Sequence, residues 1–363
     1  MMRYGLIGSG MMGQEHIRNV ALLDGAEIAA IADPDQRMLG CAAELAGARA
    51  YPDHRAMLDA EALDALIVAA PNDLHHALMC DALAYGRPIL CEKPLASTAA
   101  DALDLARRAA AGPPVWVAME YRFMPPVARL VEAVQAGRAG APRMVAIREH
   151  RFPFLEKIGD WNRFNARTGG TMVEKCCHFW DLMRLILQAD PVRVYASAAA
   201  DVNHRDERYA GRVPDILDNG FVVVDFAGGA RAMLDLCMFA EGSHWQEVIS
   251  VTGPAARIEA RVPGPARFSP DGAERHAELA IADRAARRET AEIIETDEAI
   301  LRAGDHHGAT FFQHQRFLQM LRDGGQPEVT LADGAWAVRV GAAAEESAQL
   351  GQPVDLAAAA VPA

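Results

Sequence analysis

Near its start the sequence reads Gly8-Ser9-Gly10-Met11-Met12-Gly13, glycines spaced G-x-G-x-x-G between a short apolar run at 4–7 and a helix-like stretch. In a loop that holds phosphates each glycine has its own task. Gly8 makes a tight turn, Gly10 lets the backbone approach a pyrophosphate, and Gly13 lets helix and strand pack closely. The pyrophosphate would rest on unpaired N–H groups at the helix start. Asp33 follows about 20 positions later, at the end of the second apolar run. Its carboxylate would accept hydrogen bonds from ribose hydroxyls and repel a 2′-phosphate, which favours NAD over NADP. Arg37 lies close behind, and an Arg there can accept that phosphate, so NADP stays open. An Asp before Pro34 is also an ordinary turn opener.

Two further segments could do chemistry. In Glu92-Lys93-Pro94 an apolar run stops at a lysine held in an extended backbone by the following proline. An X–Pro bond also permits a cis peptide. Ligands of open α/β sheets bind beyond the carboxyl ends of strands, so Lys93 would project near a bound nicotinamide; most lysines are simply exposed. The second segment runs from Gly169-Gly170 to Asp181. If one helix spans 172–187, then Glu174, His178 and Asp181 are spaced i, i+4 and i+7 and share a face. Two carboxylates around an imidazole suit proton transfer. Thr171-x-x-Glu174 also reads as a capping box, with Glu174 turned back on the Thr171 amide.

Arg122, Trp161, Arg163 and Asn165 are candidates to line a substrate cleft, since polar groups with one aromatic face suit a hydroxyl-rich ring. Met11 and Met12 read as packing residues beside the cofactor. Cys176, Cys177 and His178 are adjacent, but neighbours on a helix point about 100° apart. No second pair has zinc spacing, here or at His75-His76 and His306-His307, so no metal is expected.

These residues need a frame to hold them. Apolar runs at 4–7, 28–32, 65–70, 88–91 and 115–119 alternate with helical patterns. That rhythm predicts an α/β Rossmann domain with a doubly wound parallel sheet over residues 1–121. Beyond it a helix is expected at 126–136, then strands at 143–150, 192–199, 221–226, 230–239, 248–252 and 257–261, and helices at 309–321 and 332–350. Gly228-Gly229 reads as a hairpin turn. Residues 122–363 therefore read as an α+β domain with an open, mostly antiparallel sheet, and the alanine-rich end at 357–363 is expected to fray.

Composition bounds the partners. The 363 residues are 51% hydrophobic and 23% charged, a globular profile. The 36 Lys plus Arg against 49 Asp plus Glu give a net charge of −13, which disfavours nucleic acid and anionic membranes. Six scattered cysteines suit free thiols in a reducing compartment. With neither a leader-like N-terminus nor an apolar run of ~18 residues, the expectation is a soluble cytoplasmic protein off the membrane.

Taken together, the fingerprint Gly8-x-Gly10-x-x-Gly13, Pro71-Asn72 with His75, Glu92-Lys93-Pro94, and Gly169-Gly170 leading to His178 and Asp181 resemble the Gfo/Idh/MocA oxidoreductases. The resemblance implies a nicotinamide-dependent enzyme that moves a hydride to or from a hydroxyl or keto carbon of a sugar, cyclitol or derivative. It implies catalysis by Lys93 and His178, with Glu174 where many members carry Asp. It adds Pro71, Asn72, His75 and Glu92 to the cofactor site and Asp181 to the substrate site. It also implies a homodimer or homotetramer joined through the C-terminal sheet. Members of this architecture also reduce aldehydes, oxidise dihydrodiols or cleave glycosides through a 3-keto sugar with recycled NAD. A non-catalytic NAD sensor is a further reading, since fold alone does not prove catalysis.

Overall fold

Short, doubly buried strands and the helices between them build the first half of the computed structural model, which describes residues 1–268, 272 and 275–356. The alanine-rich end lies outside the described residues. The elements run β1 (Met2–Ile7), α1 (Met11–Val20), β2 (Ala26–Ala32), α2 (Gln36–Ala46), β3 (Arg49–Tyr51), α3 (His54–Ala60) and β4 (Ala65–Val68). They continue through α4 (His75–Tyr85), β5 (Ile89–Cys91), α5 (Ala99–Arg108) and β6 (Val115–Val117). Strand order is β3-β2-β1-β4-β5-β6, all parallel. Every residue of β4, β5 and β6 is buried, as expected of strands covered on both faces. The order reverses direction between β1 and β4, and a crevice opens there beyond the strand ends. The sequence reading missed β3, a three-residue edge strand, Arg-Ala-Tyr, with no buried position.

The second half contains α6 (Pro125–Gln135), β7 (Met144–His150), α7 (Asn165–Thr168), α8 (Thr171–Glu174), α9 (Cys177–Leu187), β8 (Pro191–Ala199), β9 (Asn219–Phe226) and β10 (Arg231–Cys237). After these come β11 (Trp245–Thr252), β12 (Ala256–Pro263), β13 (Ala277–Asp283), β14 (Arg288–Ile294), α10 (Glu298–Arg302), α11 (Ala309–Asp323), α12 (Leu331–Leu350) and β15 (Val354–Asp355). The nine strands order as β14-β13-β12-β11-β7-β10-β9-β8-β15. Every pairing is antiparallel except β7 with β10. Gly228 and Gly229 turn β9 into β10 at positive φ, as their type predicts. Strands β13 and β14 escaped the sequence reading. β14 exposes six of its seven residues, so it has no apolar alternation to detect. One sheet face is covered by helices including α9 and α12. The other leaves Tyr195, Phe221, Val223 and Met233 exposed. No helix among the described residues is long and apolar enough to cross a membrane.

One helix expected over 172–187 is in fact two, α8 and α9, parted at Lys175 and Cys176. The capping box is absent as well. Thr171 Oγ1 donates to the Leu217 carbonyl at 2.6 Å, and the α8 N-terminus is met instead by Glu345 of α12, whose carboxylate accepts from Met172 N at 2.9 Å. Gly341 allows this approach, because a Cβ there would stand 2.4 Å from the Met172 carbonyl oxygen.

Candidate active site

At the crevice, Gly8 adopts φ +95°, and a Cβ on it would lie 2.5 Å from the Ala69 carbonyl oxygen. A Cβ on Gly13 would lie 2.3 Å from the Gly8 oxygen. Gly10 differs, since nothing stands within 4 Å of where its Cβ would be, and it begins α1 without a side-chain cap. Its open side and the free N–H groups of that helix form the kind of cradle a pyrophosphate fills, so the turn fits a dinucleotide. Asp33 reinforces it, with Oδ2 accepting from Ser9 N at 2.7 Å and Ser9 Oγ at 2.9 Å.

A cleft of about 790 Å³ runs from this turn. Gly8, Gly10, Met11, Met12, Asp33, Arg37, Pro71, Asn72, Glu92 and Lys93 line it, as does Trp161. Gly13 packs behind the turn. His75 does not line the cleft. Its ring is fully buried, with Nδ1 2.7 Å from the Pro94 carbonyl and Nε2 2.9 Å from that of Ala70. It ties the loop after β4 to the loop after β5, where Lys93-Pro94 is a cis peptide.

The cleft continues into a smaller chamber of about 90 Å³, with Met11, Met12, Lys93, Lys157 and Glu174 lining both. Lys93 and His178 both face this chamber. Lys93 Nζ donates to the Glu174 carbonyl at 3.4 Å. Burial disfavours its ammonium, but the surrounding Cys177, Glu120, Glu92 and Glu174 groups outweigh that and hold its pKa above the usual lysine value. His178 is buried and lies flat on Tyr121, with ring centroids 4.1 Å apart and planes 6° apart. Burial, joined by the charges of Lys93, Lys175, His306 and Arg151, holds its pKa well below the ordinary value. At neutral pH the chamber therefore contains an ammonium donor and a neutral imidazole base. Tyr121 is fixed in turn by Lys175, whose Nζ lies 2.6 Å from the Tyr121 hydroxyl and 2.8 Å from Glu149 Oε1.

Glu174 is buried at the chamber wall and takes Lys157 Nζ at 3.2 Å, while that ammonium sits 4.4 Å over the Trp161 ring. Despite the break at 175–176, Glu174 and His178 line one chamber, and it is Asp181 that fails to join the face drawn from a continuous helix. Asp181 turns away to Arg122, which donates from Nε at 2.6 Å and also reaches Asp333 at 3.3 Å and the Glu328 carbonyl at 2.8 Å. Neither lines the cleft. Arg163 is likewise buried on Glu207 at 2.9 Å, and Asn165 holds Asp215 through its N–H at 2.7 Å. None of these four lines the cleft or the chamber, and each is engaged with a partner elsewhere in the second domain or its loops. Sequence reasoning missed Lys157, Lys175, Glu120, Tyr121 and His306. Glu120-Tyr121 directly follows the last parallel strand, where ligand-facing residues are expected. The others carry no local signal.

Residues 2–119 match the family model described as an oxidoreductase family's NAD-binding Rossmann fold, and residues 131–356 match that family's C-terminal alpha/beta domain. Inositol 2-dehydrogenase 2 of Saccharopolyspora erythraea is 30% identical over 251 residues, covering 68% of this chain and 69% of the relative. The rhizopine catabolism protein MocA of Rhizobium meliloti is 30% identical over 260 residues, 69% of this chain and 76% of that protein. A solved oxidoreductase domain protein from Kribbella flavida shares the fold at TM-score 0.81 over 98% of both chains, with 22% identity.

Proposed function

Because the chain belongs to the Gfo/Idh/MocA oxidoreductase family, we propose that it is a dehydrogenase which oxidises a secondary hydroxyl of a cyclitol or sugar with NAD. The observation that carries this reading is that Lys93 and His178, a cation and a neutral base, face one chamber at the end of the nucleotide cleft. Lys93 donates a hydrogen bond to the oxygen being oxidised and stabilises its developing charge. His178 takes the hydroxyl proton. Bound NAD supplies the hydride acceptor. Glu174 and Lys157 form one chamber wall as an ion pair and position the main-chain carbonyl that steadies Lys93. Asp33 favours NAD over NADP, as a carboxylate beside the adenosine ribose repels a second phosphate. A polyol substrate is supported by the two relatives, one named for inositol and one for rhizopine catabolism.

The test is a panel of inositols, aldoses and glycosides, each followed by absorbance with NAD⁺ and with NADP⁺. Net NADH formation with a cyclitol or aldose, faster than with NADP⁺, is the expected result. Absence of turnover across the panel would sink the proposal. Cleavage of a glycoside without net NADH would replace it with the recycling reaction.

We also infer that copies associate through the uncovered sheet face, where Val223 stands opposite Tyr195 on one side and Met233 on the other, with Phe221 60% exposed nearby. Apolar side chains gathered on one face favour a covered interface. Phe221→Glu is expected to lower the mass found by sedimentation, and an unchanged mass would refute the interface.

A further inference from the structure

Glu120, just past β6, is an anomaly. It is 1% exposed, and among the described residues neither carboxyl oxygen has a hydrogen-bond partner. Buried carboxylates are ordinarily paired, because leaving them bare is costly. Its Oε1 instead lies between two imidazoles, 3.6 Å from His178 Nε2 and 3.9 Å from His306 Nε2. Around it stand Glu92 and Lys93 from the loop after β5, His178 from α9 and His306 from the loop before α11. The Nδ1 of His178 has no protein partner. The Nδ1 of His306 lies 2.9 Å from Glu15 Oε1, and its side chain is 20% exposed. The loop is shaped for this contact, since a Cβ on Gly304 would lie 2.3 Å from Glu15 Oε1.

We propose that Glu120 is a second proton carrier of the reaction, taking the substrate's hydroxyl proton from His178 and passing it to solvent through His306. This rests on the dehydrogenase reading above. His178 accepts the hydroxyl proton at one ring nitrogen and releases the proton on Nε2 to Glu120, so the imidazole returns to its neutral form. The substrate carbon loses a hydride and the hydroxyl a proton, and only the proton takes this route. Burial, with Glu92 adding, pushes Glu120 up to about 7 against the pull of His306 and Lys93. His306, despite its burial, is raised to about 9 by Glu15 and Glu120. Proton affinity thus climbs from His178 through Glu120 to His306. When Glu120 is neutralised, His306 loses one of its two counter-charges, sheds its proton outward and is refilled from Glu120.

Three measurements test this. Glu120→Gln keeps the shape and is expected to slow oxidation by the best panel polyol ~10²-fold, the low end for a lost proton-transfer group. The wild-type profile of kcat/KM should rise with pH through about 7 as Glu120 ionises. That limb should vanish in Glu120→Gln and move to higher pH in His306→Gln, which removes the cation that keeps Glu120 ionised. Unchanged turnover or an unmoved limb in both variants would overturn the relay. Independently of any substrate, the His306 imidazole followed by NMR should lose proton affinity ~10-fold in Glu120→Gln, as an opposite charge within 4–6 Å holds at least about one pH unit. An unmoved His306 curve ends the proposal. If no polyol is oxidised by the wild type, the dehydrogenase reading fails by itself, and the NMR curve still judges the coupling of Glu120 to His306.

Discussion

Lys93→Met should lower kcat for polyol oxidation by ~10²–10³-fold, the scale seen when one preorganised donor to a developing oxyanion is removed. NAD⁺ binding measured by calorimetry should barely change, because the nucleotide rests on the glycine turn and α1, and the substitution leaves those untouched. The contrast follows from where the ammonium points. Among the described residues its ammonium donates one hydrogen bond, to the Glu174 carbonyl at 3.4 Å, so it retains donors for a ligand in the chamber. Since its pKa lies above the ordinary lysine value, the ammonium persists through the neutral range, and the loss should be the same at pH 7 and pH 9. A variant with wild-type kcat would remove Lys93 from the reaction. One whose loss lay wholly in NAD⁺ affinity would reassign it to cofactor binding.

Arg122→Met should act on stability instead. The Arg122 guanidinium is 9% exposed and faces an Asp181 carboxylate that is 1% exposed. Removing one partner of such a buried pair costs ~3–5 kcal/mol, because the other charge stays buried without compensation. Asp333 is spared, since Arg184 still holds it at 2.6 Å. Burial already raises the Asp181 pKa against the pull of Arg122, and losing the arginine raises it further. A carboxyl with a folded pKa above its unfolded value adds stability below the unfolded value and loses it as pH rises through the folded one. The deficit should therefore shrink as pH falls below neutrality. Denaturant titration at two pH values checks both the size and the sign. If Arg122 acted at the substrate instead, KM would rise while stability held.

These two residues mark the boundary between what is legible in one dimension and what is not. The glycine turn, Asp33 and Glu92-Lys93-Pro94 were readable because their tasks are local. A tight turn, a free helix end and the residue just past a strand are properties of a few consecutive positions, and the strand–helix alternation that frames them repeats along the chain. The parallel sheet, the mostly antiparallel second sheet and the pairing of Lys93 with His178 in one chamber followed from those signals and from the family they resemble.

The fates of Arg122, Asp181, Glu174, Arg163, Asn165 and His75 depended on partners far away in sequence. Arg122 meets Asp181 and Asp333, which takes Asp181 away from Glu174 and His178, and the start of α8 meets Glu345 of α12 where a capping box was expected. Glu120, Tyr121 and His306 join His178 only because β6, α9 and the loop before α11 converge. Local spacing specifies backbone conformation, whereas the partner of a buried charge is set by whichever distant group the packed core brings within a few ångströms, and no short stretch of sequence encodes that meeting.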